Sequence, residues 1–263
     1  GKTAFVDVLN DGEIGFGSTE FIVMRAKKGV SDSQFIYYMA TAPFFRDIAI
    51  KSMVGSSGRQ RVQQNVLDNL QLYVPDLEEK ERIGSFLAGF DNKIAINSEI
   101  NDNLYEMAST YYTFLFKVFE NETTTIGSYA DRIYSGGTPT TSNVAYWNGS
   151  FNWFSSGETR NRFVISTEKS ITQAGIDNSS TKLAEKYDIV MASAGQGFTR
   201  GQTSMLLLDT FINQSVIVIH AERNVLPYLF WNLVNRYEEL RSISDSSSIR
   251  GSLTTKMISA FEI

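Results

Sequence analysis

The end of this 263-residue chain repeats its beginning. Four stretches recur in the same order: Gly1–Val6 as Gly201–Leu206, Phe21–Met24 as Val216–Ile219, Phe35–Met39 as Leu226–Phe230, and Leu67, Leu70 and Leu72 as Ile258, Phe261 and Ile263. Similarity over such a long period indicates a duplicated structural unit. The first copy holds no counterpart of residues 125–200. We therefore expect a fragment that contains parts of two related units.

The segment between the copies predicts one long helix. It holds no proline from Glu79 to Phe119, and Asp76 can cap its start. Seam residues recur at alternating spacings of four and three, which is typical of a coiled coil: Ile83, Leu87, Phe90, Ile94, Asn97, Asn101, Leu104, Ala108 and Tyr111. About 40 residues at 1.5 Å each would span roughly 60 Å, as a spacer does. An amphipathic helix lying on its own domain is the alternative.

The two copies themselves predict mixed α/β (α+β) units. Short strands separated by Gly, Ser and Asn turns dominate from Ile126 to Ile219. A helix is expected over 224–241, with Pro227 in its first turn, and its counterpart should start near Ser31–Gln34. Each unit should then be a mixed sheet with at least one packed helix. The expected divisions are 1–75, a spacer over 76–119, and 120–263.

Composition excludes several classes of protein. The chain has no cysteine and only His220 as histidine, which we interpret as structural, so a metal site is not expected. No apolar run approaches the roughly 20 residues of a membrane helix, and a cytoplasmic setting is expected. The net charge of −5 argues against a diffuse basic surface but leaves room for local basic loops.

Motifs for catalysis are also missing from the sequence. None of the four prolines is adjacent to another, so there is no Asn/Asp-Pro-Pro-aromatic motif of an adenine methyltransferase, and no P-loop occurs. Asp76 and Glu78–Lys80 superficially resemble a nuclease cluster. They open a helix, however, where acidic side chains favour the macrodipole. We expect neither catalysis nor a cofactor.

Two sets of residues resemble a known family. Ser135–Pro139, followed by Tyr146–Trp147, Trp153 and Gly157–Glu158, resembles the opening of a target recognition domain in the DNA specificity subunit of type I restriction-modification systems. The spacer is similar to that family's conserved helix, through Pro75–Lys80, Ile83, Leu87, Asp91–Ile94, Asn97 and Leu104. Lys80 stands where the family usually has Gln, and the second conserved helix does not occur here.

The resemblance implies a non-catalytic subunit that binds double-stranded DNA. In such a subunit two recognition domains each read half of a bipartite site, and two antiparallel helices hold them apart and dock the methyltransferase subunits beside a restriction subunit. Residues 1–75 would be the C-terminal part of the first target recognition domain and 120–263 the second. With one helix alone, the open seam predicts that two copies pair antiparallel.

Four loops, two of which match each other in the two copies, supply the candidate DNA contacts. Their residues are small, polar or cationic: Arg59, Gln60 and Arg61, matched in the second copy by Arg250; Ser135, Gly136, Gly137 and Thr138; and Ser193, Gln196 and Arg200. The 193–200 loop could instead be a plain hairpin, and the glycines of the 135–138 loop could serve turn geometry. We expect alanine at Arg59 and Arg61 to weaken DNA binding and flatten its salt dependence. A scaffold that dimerises through the helix and binds proteins with its end domains is the alternative function.

Overall fold

A computed structural model describes residues 2–10, 12–55, 60–117, 123–195, 197–246 and 251–263. The chain divides into two compact units, residues 1–104 and residues 105–263. The mixed α/β class expected from the sequence is confirmed, because a long helix accompanies two sheets that each combine parallel and antiparallel pairing.

The first unit is built from helices. They are α1 (Ser33–Thr41), α2 (Pro43–Lys51), α3 (Gln64–Asp68) and the first part of α4 (Leu77–Lys117). Asp32 caps α1, since its carboxylate accepts a hydrogen bond from the backbone N–H of Phe35 at 2.8 Å. Pro43 opens α2 at the position where a missing N–H costs nothing.

Helix α4 covers most of the helix predicted over 76–119. Asp76 caps it as expected, accepting from the N–H of Glu79 at 2.9 Å. The helix is continuous to Lys117, and the last predicted residues, 118 and 119, lie outside the described ranges. Within the first unit it packs through Lys80, Gly84 and Ala88, which are buried and spaced by one turn. A Cβ at Gly84 would lie 2.9 Å from the backbone nitrogen of Phe35, so only glycine allows this approach to α1.

The second unit holds every strand assigned in the described residues. Its elements are α5 (Ile126–Tyr129), β1 (Ala130–Ser135), β2 (Trp147–Phe154), β3 (Phe163–Val164), β4 (Lys169–Ile171), α6 (Gln173–Asp177), β5 (Lys182–Ala184), β6 (Ile189–Ala192), β7 (Thr203–Leu206), β8 (Thr210–Ile212), β9 (Val216–Ala221), α7 (Leu226–Asn235), α8 (Tyr237–Ser246) and α9 (Thr255–Ser259), with 3-10 turns at Val144–Tyr146 and Ser156–Arg160.

These strands form two sheets. One has the order β1-β9-β6-β7-β3 and the other β4-β2-β8-β5. Strand β9 lies between β1 and β6. Its successive side chains point to opposite sides of the sheet, and those on both sides are buried. Ile217 and Ile219 pack with α7, while Val216 and Val218 face the cluster around Phe154 of the other sheet. Burial of each such side chain contributes about 1.5–3 kcal/mol.

The predicted repeat appears as a repeated order of helices. Helices α1, α2 and α3 of the first copy correspond in order and length to α7, α8 and α9 of the second. The single helix predicted over 224–241 is two helices, which is a correction. The chain leaves helical geometry at Arg236, where the guanidinium bonds the carboxylate of Glu239 and the carbonyl of Glu262.

The sheet predicted for the first copy does not occur among its described residues. Phe21–Met24 corresponds to β9 but is not a strand, and only an isolated bridge joins Val54 and Arg61. The physical reason is the lack of partners. Strand β9 is paired by β1 and β6, and both lie within residues 125–200, which have no counterpart in the first copy. An extended segment without neighbours forms no ladder.

No helix among the described residues combines the length and the apolar character needed to cross a membrane.

Candidate nucleic-acid interface

Predicted DNA-contact segments of the second unit converge at one end of the five-stranded sheet. Strand β1 ends there at Ser135 and β6 at Ala192, in register with Ile217 and Val216 at the start of β9. The backbone N–H of Gly137 donates to the carbonyl of Ile212 at 3.1 Å. Loops at the ends of strands are where a rigid scaffold commonly presents contact residues.

The Ser135–Thr138 segment is tightly packed. A Cβ at Gly136 would lie 2.8 Å from Cγ1 of Ile212 and closer still to its carbonyl oxygen, and one at Gly137 would lie 2.8 Å from the backbone carbonyl carbon of Ser180. Neither glycine has a positive φ, so close approach rather than turn geometry requires glycine here. The Thr138 hydroxyl donates to the side-chain carbonyl of Gln214. This segment therefore links β1 of one sheet to β8 of the other.

Ser193 and Arg200 bracket the second loop and hold it in place. Ser193 is buried, and its N–H donates to the carbonyl of Ser215 while its own carbonyl accepts from Leu253. The Arg200 guanidinium forms an ion pair with Asp245 and donates to the carbonyl of Gly251 at 2.6 Å. Its side chain is only 13% exposed, so in this structure Arg200 fixes the loop to the segment around Gly251. Gln196 lies outside the described residues.

Two side chains of helix α8 also hold the 193–200 loop in place. The Tyr237 hydroxyl donates to the carbonyl of Phe198 at 2.6 Å. Arg241 donates to the carbonyl of Gly197 at 2.6 Å, and its guanidinium lies near the ring of Tyr237. Glycines 195, 197 and 201 adopt positive φ, which lets the chain turn sharply between these supports. The Phe198 ring is 81% exposed at this position.

Sequence reasoning missed Tyr237, Arg241 and Phe198. Helical periodicity puts Tyr237 on an apolar face, which gives its hydroxyl no role. Arg241 is separated from the loop by about 40 residues, so no local pattern connects them. A large apolar residue among glycines, as in Gly195-Gln196-Gly197-Phe198, was the available signal, because exposed turns normally carry polar side chains.

The matching loops that follow α2 and α8 are described only at their edges. In the first unit, mutual backbone hydrogen bonds between Val54 and Arg61, at 3.1 and 3.0 Å, bracket the loop. Gln60 is exposed, and Arg61 forms an exposed ion pair with Glu20. Arg59 and Arg250 lie outside the described residues.

The opposite end of the five-stranded sheet carries His220, the sole histidine of the sequence. Its Nδ1 lies 2.6 Å from Oδ1 of Asp188, which is buried. Burial raises the pKa of Asp188, while hydrogen bonds from Glu185 and His220 oppose the rise. Burial likewise raises the pKa of the neighbouring Tyr134 to about 12. Among the described residues, no group of three or more His, Cys, Asp or Glu side chains could hold a metal ion.

The predicted helix seam is exposed over the middle of α4. Of the seam positions near the ends of the helix, Ile83 and Leu87 are partly buried in the first unit and Ala108 in the second, while Tyr111 is exposed. Every residue from 89 to 104 is exposed, including the remaining seam positions Phe90, Ile94, Asn97, Asn101 and Leu104. The face packed in the first unit runs through Lys80, Gly84 and Ala88 instead, so the seam is open along this stretch.

Residues 3–106 match the family model described as the type I restriction modification DNA specificity domain. The specificity subunit of the type I restriction enzyme EcoR124I/EcoR124II from Escherichia coli is 25% identical over 220 residues, which are 80% of this chain and 54% of that protein. The specificity subunit of the MjaVIII enzyme from Methanocaldococcus jannaschii is 28% identical over 100 residues, 36% of this chain and 23% of that protein.

Over most of its length the chain is similar to type I restriction-modification specificity subunits, and residues 3–106 match the DNA specificity domain of that family. It spans about half the length of the Escherichia coli subunit. The type I restriction-modification S subunit from M. genitalium shares its fold, with a TM-score of 0.58 at 17% identity over 88% of this chain and 60% of that one. The resemblance noted in the sequence, carried by the spacer and the Ser135–Pro139 motif, is thereby confirmed for the specificity-subunit family.

Proposed function

We propose that the chain is a non-catalytic DNA-recognition subunit of a type I restriction-modification complex. Residues 1–75 are assigned to the C-terminal part of a first target recognition domain, 76–119 to the spacer helix, and 120–263 to a second target recognition domain. The observation that carries the proposal is the convergence of the 135–138 loop, the 193–200 loop and the Gly251 segment at one end of a rigid sheet. Double-stranded DNA is the proposed ligand.

The charge distribution supports local rather than diffuse binding. The chain carries a net charge of −5, so a general attraction to phosphate is weak. Arg61 and Arg241 instead lie at or beside the loops. Cations confined to the contacting face can position a subunit on the duplex, and side chains at the loop tips then read base edges.

The open part of the helix seam supports docking of partner subunits. Phe90, Ile94 and Leu104 are 54%, 63% and 58% exposed. Apolar side chains at coiled-coil spacing, interrupted by Asn97 and Asn101, suit a partner helix with complementary polar groups. We assign this face to the methyltransferase subunits, with the restriction subunit joining the same complex. A second copy of this chain is the competing occupant.

The first experiment is single-molecule sequencing of genomic DNA from cells that express this protein together with a methyltransferase subunit with which it associates. We expect N6-methyladenine in a bipartite motif with a fixed gap. Cells with an empty vector, or with the methyltransferase subunit alone, serve as controls. If the subunits associate and no new motif appears, the result favours the scaffold function or an inactive recognition domain, and mobility shifts on random duplexes separate these two.

A paired substitution tests the first-unit loop. Alanine at Arg59 and Arg61 should weaken binding to the identified target and lower the slope of log K against log salt by up to about 0.9 for each phosphate that is no longer neutralised. Alanine at Arg82, an exposed arginine that pairs with Glu79, removes a positive charge from α4 instead of from the loop and should leave both quantities unchanged. Unaltered affinity and slope in the double variant would remove Arg59 and Arg61 from the interface.

The docking face has its own matched pair of variants. Ile94→Asp places a carboxylate on the open seam, whereas Ala95→Asp adds the same charge about 100° around the helix. We expect the first to abolish copurification of the methyltransferase subunit and the second to retain it. Equal loss with both variants would move docking elsewhere. Light scattering of the isolated chain then decides whether the same face pairs two copies.

A further inference from the structure

The loop that carries Phe198 exposes a phenyl ring on a backbone that is held in place. Tyr237 and Arg241 donate to the carbonyls of Phe198 and Gly197, each at 2.6 Å. Arg200 anchors the end of the same loop to Asp245 and Gly251. The backbone is therefore supported from three side chains, while the ring itself is 81% exposed. The backbone is thus held in place while the side chain of Phe198 is exposed to solvent.

The charges beside the ring indicate what it meets. Arg200 is neutralised by Asp245, but Arg241 bonds the neutral carbonyl of Gly197 and the neutral hydroxyl of Tyr237. Among the described residues, no carboxylate lies within ion-pair distance of Arg241. The exposed ring of Phe198 thus follows directly after a carbonyl that is bound by a guanidinium with no ion-pair partner among the described residues. Stacked bases flanked by phosphates match this pair, since the bases offer π faces and the phosphate offers the counter-charge.

We propose that Phe198 inserts into the base stack of duplex DNA as a wedge, with Arg241 facing the adjacent phosphate. The inference rests on the proposed DNA-reading function and adds a mode of recognition that depends on deformation. Apolar side chains that enter a base step unstack it and kink the duplex by about 20–90°. The cost depends on the step, because pyrimidine–purine steps open easily. Phe198 would then favour particular steps without hydrogen-bonding any base.

The test compares Phe198→Ala and Phe198→Leu with the unaltered chain, each assembled with its copurifying subunits on its own methylated target. Loss of the ring should weaken target binding about 5- to 150-fold, the range for removing one base-stacking side chain. Leucine, which can also act as a wedge, should retain most of the affinity. The slope of log K against log salt should stay the same in both variants, because no charge changes. Arg241→Gln should instead lower that slope by about 0.9.

Deformation is measured by energy transfer between dyes at the two ends of the duplex, and unstacking by 2-aminopurine placed at successive steps of the target. The unaltered chain should shorten the end-to-end distance of the duplex and raise the 2-aminopurine fluorescence at one base step of the target. Phe198→Ala should do neither. Ile165→Ala is the matched control, since Ile165 is 76% exposed in the same unit but lies outside the loop. It should change none of these readouts.

The outcomes are distinguishable. No DNA binding by the unaltered assembly overturns the proposed function and this inference together. Normal binding with an unbent duplex, or with equal bending by Phe198→Ala, overturns the inference alone. Loss of the copurifying subunit in Phe198→Ala would show that the ring binds protein and would likewise overturn it. Circular dichroism and thermal unfolding should be unchanged in that variant, because the ring is exposed.

Discussion

The two copies of the repeat share a run of three helices but differ in what those helices cover. In the second unit, α7 and α9 lie on a five-stranded sheet, and Leu229, Phe230 and Ile258 are fully or almost fully buried. In the first unit the described apolar residues that reach burial are Ala40, Phe45 and Ala88. The difference shows that the helices alone do not make a large core. They complete one when a paired sheet lies beneath them.

The comparison indicates that the partner strands decide whether this apolar segment forms a strand. Val216–Ala221 is a central strand because β1 and β6 pair with it on both sides. Phe21–Met24 has similar apolar composition, yet Phe21 and Val23 are 71% and 73% exposed. Equivalent sequence therefore gives a buried strand or an exposed segment according to its neighbours, which is how tertiary context overrides β propensity.

The largest expected effect comes from truncating equivalent helix positions in the two copies. Phe230→Ala should lower the free energy of unfolding by about 3–5 kcal/mol, since the side chain is 1% exposed. Its counterpart Met39 is partly exposed, and Met39→Ala should cost roughly half of that or less. Denaturant unfolding measures both values. Equal losses would mean that the first unit is packed as well as the second.

A smaller effect is expected where the two sheets join. Gly136→Ala places a methyl group inside the van der Waals distance of the Ile212 carbonyl oxygen and should destabilise the second unit by about 1–3 kcal/mol. Gly157→Ala is the control, because nothing lies within 4 Å of its Cβ. Hydrogen exchange of β8 and β9 should report loosening in the first variant alone. Protection retained in both variants would refute the close approach.

The third effect is a pH dependence that only the second unit should show. Burial raises the pKa of Asp188 above its ordinary value of 3.8. The contribution of Asp188 to stability is therefore full below that value and is lost as pH rises through the raised pKa, when the folded state must hold a buried carboxylate. Relative to Asp188→Asn, the unaltered chain should lose stability as pH rises from below 3.8 toward neutrality, measured by denaturant unfolding at successive pH values. A constant difference over that range would contradict the raised pKa.

The smallest effect is expected in the middle of α4. Phe90 lies between the packed ends of the helix and is 54% exposed, so Phe90→Ala should change the unfolding free energy by no more than about 0.5 kcal/mol. Phe45→Ala, at a buried site of α2, is the comparison and should cost several times more. A large loss at Phe90 would place this stretch of helix within one of the two cores.

Local patterns predicted the elements whose cause is local. Asp76 caps α4 as expected, Pro227 lies in a first turn, and α1 begins within the predicted Ser31–Gln34 segment, with Asp32 as its cap. The prediction of a sheet in the first copy was wrong because strand pairing is non-local. The break at Arg236 also depends on distant groups, since its side chain bonds Glu262. Periodicity reports what a segment favours and cannot report whether its partner is present.

The candidate interface was predictable in part for the same reason. Small polar loops marked Ser135–Thr138 and Ser193–Arg200, and the structure brings both to one end of the sheet. The tie between Arg200 and Asp245 and the support from Arg241 join residues more than 40 positions apart, which no local pattern reveals. The individual DNA contacts remain predictions.

Backbone hydrogen bonds join the C-terminal end of the second unit to the segment just before α5. The backbone groups of Thr124 and Ile263 bond each other at 3.1 and 2.8 Å, and Ile126 donates to the carbonyl of Phe261 at 3.0 Å. A stretching force applied at residues 123 and 263 would load these bonds one after another, as in opening a zip, because the two segments run antiparallel from the pulled ends. The second unit should therefore begin to unfold at low force, starting from these terminal hydrogen bonds. Its mechanical resistance would be set by the order of the bonds, while its thermal stability is set by the buried sheet.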